Sequence, residues 1–461
     1  MLRKFFIPLM MALVVVAAAV YWFRAPSSHR RDLRETVPVE HFTLSNGLTV
    51  VVMPNSRIPA VTHLLVVKAG GADDPQGKTG LAHYLEHLMF TGTKDTPEGE
   101  YSRAIARVGG ESNAFTGRDY TLYYATVARE HLPMVMAMEA DRFQNLTLDA
   151  ARVAREIQVI TEERNQRVDN KAAAQLLEQL DAITFLNHPY RQPIIGWAED
   201  IATLTPDDAR KFFASYYRAS NMMLIVAGDV TAREVRRYAQ QYYSTLPAGV
   251  AVARTWPKEP PLRLTRHAVM EDAKARQPLV IRQYVAPSVN EGARENATPL
   301  AVFTQYLGGG SSSLLYDQLV RGQKLASAVS ADYDPTVMGP GLLRVHAIPA
   351  PGVTPTQLEE AMDRVLAAAV AVPMEETALT RAKTLLTAEL VFAQDGLEPL
   401  AQLIASLYAI GLDEQYFYDW PEAIQRVTAA QAQAAAAAVM VPNRRVTGHL
   451  VPIATEVPHA P

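Results

Sequence analysis

The alternation of apolar and polar positions divides the chain into two similar halves. Each half opens with strand-like segments, continues into long helical patterns and ends on a short apolar strand. The strand-like segments are 42–53, 61–68 and 223–227 in the first half, and 278–285 and 446–451 in the second. Strands followed by helices, twice over, predict a duplicated α+β fold.

A proline-rich stretch separates the two halves. Residues 246–262 contain four prolines and show neither a period nor a long apolar run, which is typical of a linker between domains. We therefore predict a first domain at 36–245, a linker at 246–265 and a second domain at 266–461.

The first 35 residues form a segment of a different kind. An uncharged stretch, residues 5–23, follows Arg3 and Lys4, ends on three aromatic residues and is succeeded by arginines. Its length and its aromatic end favour an uncleaved membrane anchor over a cleaved signal peptide with a site near the alanines at 17–19. We expect an exported protein in the periplasm, tethered to the inner membrane through residues 5–23.

Composition and charge exclude several classes of function. The chain has 461 residues, 49% of them hydrophobic and 20% charged, which is the balance of a globular protein. A net charge of −4 gives no basic surface for a phosphate backbone, so we expect no nucleic-acid partner. Because the chain has no cysteine, disulfides and thiolate chemistry are excluded, and a metal must bind His, Asp or Glu.

The most informative motif is the run His83-Tyr84-Leu85-Glu86-His87. On a helix, His83, Glu86 and His87 point to one side, and the opposite side is apolar. Two imidazoles at i and i+4 suit one Zn²⁺, and a carboxylate beside them can deprotonate the water on the metal. The motif therefore predicts a zinc site with Glu86 as the general base, rather than a pair of surface or capping histidines.

A catalytic zinc site needs a third protein ligand from elsewhere in the chain. The best source is the helical pattern at 152–167, where Glu156 and Glu163 lie two turns apart on one face and Glu162 points away from them. Position alone does not choose among these three carboxylates.

Further segments accompany the histidine motif over residues 40–455. They are Gly80–Ala82, Leu88–Phe90, Gly92-Thr93, Asn113–Thr116, Glu156 through Glu163, His188–Tyr190, Gly196, Tyr216-Tyr217, Asn221, Gly228-Asp229 and Gly308–Ser312. Together with the motif they resemble the insulinase/pitrilysin family of inverted-motif zinc peptidases. The resemblance is to the half-length form, also seen in mitochondrial processing peptidase and in bacterial processing proteases.

The resemblance implies a fold and a set of residue roles. The fold is two homologous α+β domains, each an antiparallel-dominated sheet with helices on one face, which face each other across a chamber and follow an N-terminal hydrophobic helix. One Zn²⁺ per chain is held by His83, His87 and Glu163. Glu86 is the catalytic base, and Glu156 supports the ligands without binding the metal.

The resemblance also implies how substrate binds. In the family, the strand equivalent to Asn113, Ala114 and Phe115 pairs with the peptide backbone at an open sheet edge, which gives affinity without demanding particular side chains. The expected substrates are peptides or unfolded polypeptides.

The second half departs from the family pattern. Active relatives carry an Arg and a Tyr that contact substrate, and Val320 and Ser327 stand at those places here. Arg321 and Tyr333 are nearby but weak candidates to replace them. Because single-chain relatives use four domains, we expect a homologous half-length partner subunit. A heterodimer is favoured, because a different subunit can supply the missing Arg and Tyr. Both subunits of a homodimer would lack these two residues.

The sequence thus predicts an exported zinc metalloendopeptidase or oligopeptidase. The alternative is a non-catalytic structural or peptide-binding subunit of a paired complex, but such members usually lose the motif that is whole here. A zinc transport or storage protein would need no base, so Glu86 argues against it. The other histidines that we considered are isolated in the sequence and are expected to be structural rather than ligands: His63, His131, His188, His267, His346 and His449.

Overall fold

The computed structural model describes residues 33–250 and 252–453. The predicted membrane segment at 5–23 lies outside these ranges. Within them, no helix is both long enough and apolar enough to cross a bilayer.

The strands form two sheets with the same topology. The first sheet has the order β1-β2-β6-β3-β5-β4 and the second β7-β11-β8-β10-β9. The strands of the first sheet are β1 (Glu40–Thr43), β2 (Thr49–Pro54), β3 (Ala60–Val67), β4 (Glu111–Thr116), β5 (Thr121–Ala128) and β6 (Met222–Gly228). Those of the second are β7 (Arg266–Asp272), β8 (Leu279–Ala286), β9 (Ala326–Tyr333), β10 (Gly341–Pro349) and β11 (Val446–Pro452).

Strand directions match as well as strand order. The pairs β2/β6 and β7/β11 are parallel, and the remaining pairs of both sheets are antiparallel. Apart from the extra edge strand β1, the second sheet therefore repeats the first. This repetition confirms the predicted fold of two homologous α+β domains.

The helices follow their strands in a similar way in each half. Those of the first half are α1 (Leu33–Thr36), α2 (Leu81–Leu88), α3 (Glu100–Arg107), α4 (Leu132–Asn145), α5 (Ala150–Arg164), α6 (Ala172–Thr184), α7 (Ala198–Ile201), α8 (Pro206–Tyr216) and α9 (Ala232–Tyr243). Those of the second half are α10 (Ala297–Gly308), α11 (Pro355–Ala371), α12 (Glu376–Ala393), α13 (Leu397–Ala409), α14 (Glu414–Arg426) and α15 (Ala429–Val439). The described residues between α9 and β7 contain no helix or strand.

The central strands of the first sheet are buried on both faces. Alternate side chains of β3, such as Leu65, pack against the helices of the first half, whereas Leu64 and Val66 face the other way. That second face is covered by α13 of the second half, through Leu400 and Ile404. Strands buried on two sides read as continuous apolar runs, which explains the sequence of β3.

The second sheet receives a helix from the first half in return. Leu176 and Leu180 of α6 pack on Ile281 and Leu450. Gly448 allows the close approach, since a Cβ there would lie 2.6 Å from a methyl group of Leu180. Each half thus covers one sheet face with its own helices, and the other face is covered by a helix of its neighbour.

Candidate metal centre

The helix that carries the histidine motif, α2, has its first turn held by a buried carboxylate. The backbone N–H groups of Gly80 and Ala82 donate to Asp74, at 2.7 and 2.8 Å. Burial raises the pKa of Asp74 well above its usual range, against the lowering effect of these N–H donors. Asp74 was not singled out from the sequence because it precedes the helix by too many residues to be recognised as an ordinary N-cap.

Two glycines lock the start of α2 against a neighbouring loop. Gly80 and Gly196 both have positive φ, of 84° and 92°. A Cβ on Gly80 would lie 2.5 Å from the carbonyl oxygen of Ile195, and one on Gly196 would lie 2.4 Å from that of Thr79. Neither position can therefore accept a larger residue without moving the backbone beside the motif.

Helix α5, which carries the candidate carboxylates, is tied to α2 and to the following structure. The hydroxyl of Tyr84 on α2 donates to the carbonyl oxygen of Val153 at 2.6 Å. At the other end, Arg164 donates to Glu178 at 2.8 and 2.9 Å and to the carbonyl oxygen of Gly196 at 2.6 Å. A π-helical turn, Asn165–Asp169, follows directly, a feature that often accompanies functional sites.

The structure brings His83, His87 and Glu163 together. Glu163 Oε2 lies 3.5 Å from His83 Nε2 and 3.2 Å from His87 Nε2, and one ligand atom from each of the three lies within 4.8 Å of the others. Tetrahedral zinc with bonds of about 2.0–2.2 Å places its ligands about 3.3–3.6 Å apart. The two distances from Glu163 therefore fit ligands of a single zinc ion.

The electrostatics of these groups also fit a cation. Glu163 Oε2 is buried and accepts no hydrogen bond, while Oε1 is paired with Arg167 at 2.7 Å. Burial, together with His87 and Arg167, lowers the pKa of His83 to about 3, so its imidazole is neutral as a metal ligand must be. A buried carboxylate oxygen facing two imidazoles without a donor is a place for a metal ion.

The other two carboxylates of α5 occupy different places. Glu156 Oε2 lies 3.5 Å from His87 Nδ1, behind the ring and away from the three converging atoms. Glu162 accepts hydrogen bonds from Asn165 and Gln166 on an exposed surface. The positions of these three glutamates in the sequence did not identify the ligand. In the structure, Glu163 is the one that faces both histidines.

Glu86 is connected to the neighbouring sheet edge. Its Oε2 accepts a hydrogen bond from the hydroxyl of Thr116, the last residue of β4. Burial raises the pKa of Glu86, and the Thr116 hydrogen bond opposes that rise. This contact could not be predicted from local sequence patterns because 30 residues separate its partners.

A cleft of about 810 Å³ opens over these groups, with the inner part of β4 along one wall. Asn113, Ala114 and Phe115 all line it, and the Phe115 side chain is 51% exposed. Strand β4 ends the sheet and pairs with β5 alone, so no further strand pairs with its outer edge. The N–H of Ala114 donates to Oδ1 of Asn113 at 2.9 Å. The predicted substrate strand therefore lies beside the candidate metal centre.

Arg321 and Tyr333 do not line this cleft. Arg321 lies in the exposed π-helical turn Tyr316–Gly322, 5.5 Å from the Tyr316 ring. The hydroxyl of Tyr333 donates to the carbonyl oxygen of Pro287 at 2.6 Å. The structure thus does not bring either candidate replacement to the histidines.

Sequence comparison assigns two consecutive stretches of the chain to one family. A family model described as insulinase (peptidase family M16) matches residues 49–197, and one described as peptidase M16 inactive domain matches residues 203–386. All the motif residues discussed above, from His83 to Glu163, fall within the first match.

Individual relatives and solved structures agree with this assignment. The zinc protease PqqE of Helicobacter pylori is 32% identical over 62% of this chain and 65% of that protein, which is less than two thirds of its length. The probable mitochondrial-processing peptidase subunit beta of Schizosaccharomyces pombe is 33% identical over 48% of each chain. The crystal structure of a protease from Helicobacter pylori superposes with a TM-score of 0.85 at 26% identity, covering 90% of this chain and 100% of that one.

Proposed function

Because the chain belongs to the insulinase family, peptidase family M16, we propose that it is a zinc metallopeptidase that hydrolyses peptides or unfolded polypeptides. The observation that carries the proposal is the convergence of His83, His87 and Glu163 beside Glu86 in an open cleft. The names of the similar proteins, zinc protease and processing peptidase, support the same activity.

We assign the zinc to His83, His87 and Glu163, one ion per chain. When bound, zinc supplies the positive charge that polarises a peptide carbonyl and acidifies a water molecule. Glu86 accepts the proton of the attacking water and later donates it to the leaving amine. Since Thr116 engages Oε2 of Glu86, we assign the proton transfer to Oε1.

Around these groups, other residues of the chain orient the reaction. Glu156 faces Nδ1 of His87, so it fixes the ring orientation and leaves Nε2 for the metal. The free edge of β4 binds the substrate backbone by strand addition, which selects an extended peptide rather than a particular side chain. Phe115 adds an exposed apolar surface on the same strand.

We further propose that a homologous half-length subunit completes the substrate chamber. Val320 cannot supply the charge of the family's Arg. Ser327 has a hydroxyl without the reach of a Tyr, and that hydroxyl donates to the carbonyl oxygen of Ile348 at 3.3 Å. Arg321 and Tyr333 do not line the cleft. A similar protein is named as a subunit of a processing peptidase. A hetero-partner that carries the missing pair is favoured over a second copy of this chain.

The partner proposal is tested by the mass of the purified chain in solution, measured together with its peptidase activity. We expect low activity for the chain alone and higher activity for the complex recovered from cells. A monomer or homodimer that is as active as the complex would contradict the requirement for a hetero-partner.

The catalytic proposal is tested with Glu86→Gln, by zinc content and by cleavage of an unstructured peptide. The amide keeps the shape of the side chain but accepts no proton, so we expect zinc to be retained and turnover to fall by at least 100-fold. Glu162→Gln, on the exposed face of α5, is the matched control and should change neither. Near wild-type turnover of Glu86→Gln would overturn the assignment, and wild-type protein that binds zinc but is inactive even in its complex would favour the non-catalytic alternative.

We also propose that the protein is exported to the periplasm and anchored through residues 5–23. The uncharged stretch between basic residues is the support for this proposal. Alkaline extraction of membranes tests it, since an anchored chain stays with the membrane and a chain cleaved near residues 17–19 is released.

A further inference from the structure

Two histidines that are distant in the sequence meet on one face of the second sheet. In the parallel pair β7/β11, His267 lies opposite Thr447, and His449 follows two residues later on the same face. Their ring centroids are 4.5 Å apart, at an interplanar angle of 80°. The two histidines, isolated in the sequence, are therefore adjacent in space, because strand pairing joins the two ends of the domain.

A carboxylate from helix α11 reaches the same point. Glu359 Oε2 lies 3.3 Å from His267 Nε2 and 2.7 Å from His449 Nε2. The contact with His267 is a hydrogen bond, whereas the buried Nε2 of His449 has no hydrogen-bond partner. One ligand atom from each of the three residues lies within 4.8 Å of the others, and the described residues contain one other such group, the active-site set.

The arrangement repeats that of the candidate active site. In the cleft, Glu163 pairs one oxygen with Arg167 and turns the other to two imidazoles. Here Glu359 pairs Oε1 with Arg282 at 2.6 Å and turns Oε2 to His267 and His449. The angles between the paired imidazoles are also close, 72° and 80°.

We propose that His267, Glu359 and His449 form a second metal site, which binds one divalent transition-metal ion such as Zn²⁺ independently of the active site. Two imidazole nitrogens and a carboxylate oxygen are a donor set that Zn²⁺ accepts. The 3.3 Å separation fits two ligands of one ion, and the 2.7 Å separation has to widen by about 0.6 Å to reach a tetrahedral edge.

Local charge sets the expected affinity. Glu359 and Asp363 are both paired with buried Arg282, and Asp363 is also paired with Arg445. At the second site, two carboxylates are thus balanced by two guanidinium groups. In the cleft, several carboxylates share the single guanidinium group of Arg167. We therefore expect the second site to bind the ion more weakly than the active site does.

The position of the site determines what a bound ion would do. The His267 side chain is 42% exposed, so an ion can enter from solvent, and His449, at 6%, forms the closed inner end. The ligands come from β7, which begins the second domain, from β11, which ends it, and from α11 between them. An ion bound there joins the two ends of the domain, and because it binds the folded state it stabilises that domain.

The test uses the full, untagged chain with the active-site ligands removed by His83→Ala and His87→Ala. Zn²⁺ alone is titrated in competition with a chromophoric chelator, and circular dichroism checks the fold. We expect about one equivalent of Zn²⁺ to bind this background, and His267→Gln added to it to weaken binding at least 10-fold. Because His267 is partly exposed, this substitution should leave the fold intact, and His449→Gln provides a second variant.

His346→Gln is the matched control. His346 contacts a single carboxylate, Asp332, at 3.2 Å, and belongs to neither of the three-ligand groups, so its loss should leave zinc binding unchanged. The proposal is overturned if the background binds no Zn²⁺, if His267→Gln leaves binding unchanged, or if His346→Gln weakens it equally, which would indicate dispersed surface binding. None of these readouts depends on peptidase activity.

Discussion

Thr116 donates a hydrogen bond to Glu86, so the last residue of the edge strand β4 is tied to the carboxylate that we propose as the general base. The strand that we expect to hold the substrate backbone and the group that we expect to accept the proton are thus positioned by one contact. A shift of β4 along its partner strand would break this contact, because Glu86 is held by α2.

Removing this hydrogen bond should change the pH dependence of the reaction. The Thr116 hydroxyl lowers the pKa of Glu86, so Thr116→Val should raise that pKa and move the acid limb of kcat/KM to higher pH. Thr116→Ser keeps the donor and should retain the wild-type profile. If valine and serine gave the same profile, Thr116 would have no effect on the base.

The two glutamates of α5 should differ in their effect on zinc. Glu163→Gln removes the carboxylate that faces both histidines, and we expect poor zinc binding. Glu156→Gln removes only the contact behind His87, and we expect a loss of roughly 10- to 100-fold in activity with zinc still bound. Metal titration of both variants gives the ranking, and the opposite order would exchange the two roles.

Asp74 should matter for stability although it is outside the cleft. Asp74→Ala leaves the buried N–H groups of Gly80 and Ala82 without an acceptor, so we expect the free energy of unfolding to fall by about 2 kcal/mol. Asp149→Ala is the comparison, because Asp149 caps α5 at an exposed position, where loss of a cap costs about 1 kcal/mol. Urea unfolding measures both, and an equal or smaller loss for Asp74→Ala would argue against this role.

Stability should fall with acidification through His63. Burial lowers the pKa of His63 to about 4, with Glu139 opposing and Arg142 adding to the shift, and its Nε2 lies 2.7 Å from the Tyr243 hydroxyl. With a folded pKa below the unfolded value, the unfolded state takes up the proton first as the pH falls. Between pH 7.5 and 5 this lowers the free energy of unfolding by about 2 kcal/mol.

The control for this prediction is His63→Gln, which cannot be protonated. Urea unfolding at pH 7.5 and pH 5 should show a smaller loss for the variant than for the wild type. Equal losses in the two proteins would mean that other groups carry the acid sensitivity.

Patterns formed by residues close together in the sequence were enough to predict many of the strands and the helix that carries the histidines. The spacing of His83, Glu86 and His87 determines their shared helix face, and alternating or continuous apolar runs determine the strands. Contacts between distant segments could not be read in this way. The pairing of His267 with His449 depends on the parallel register of β7 and β11, and the Thr116–Glu86 contact depends on how α2 packs beside β4.

Helix α6 of the first half covers the second sheet, and helix α13 of the second half covers the first sheet. This exchange of helices bears on how such a chain could arise and on what happens when it is cut. Each half leaves one sheet face bare unless the other half is present, so neither is a complete folding unit. The arrangement has the geometry of a domain-swapped dimer whose two copies have become joined. The linker is itself packed on the first half, since Arg254 donates to the carbonyl oxygen of Asp119 and Glu259 accepts from the backbone N–H of His188. A chain cut within 246–265 should therefore remain a single particle, held together by the exchanged helices.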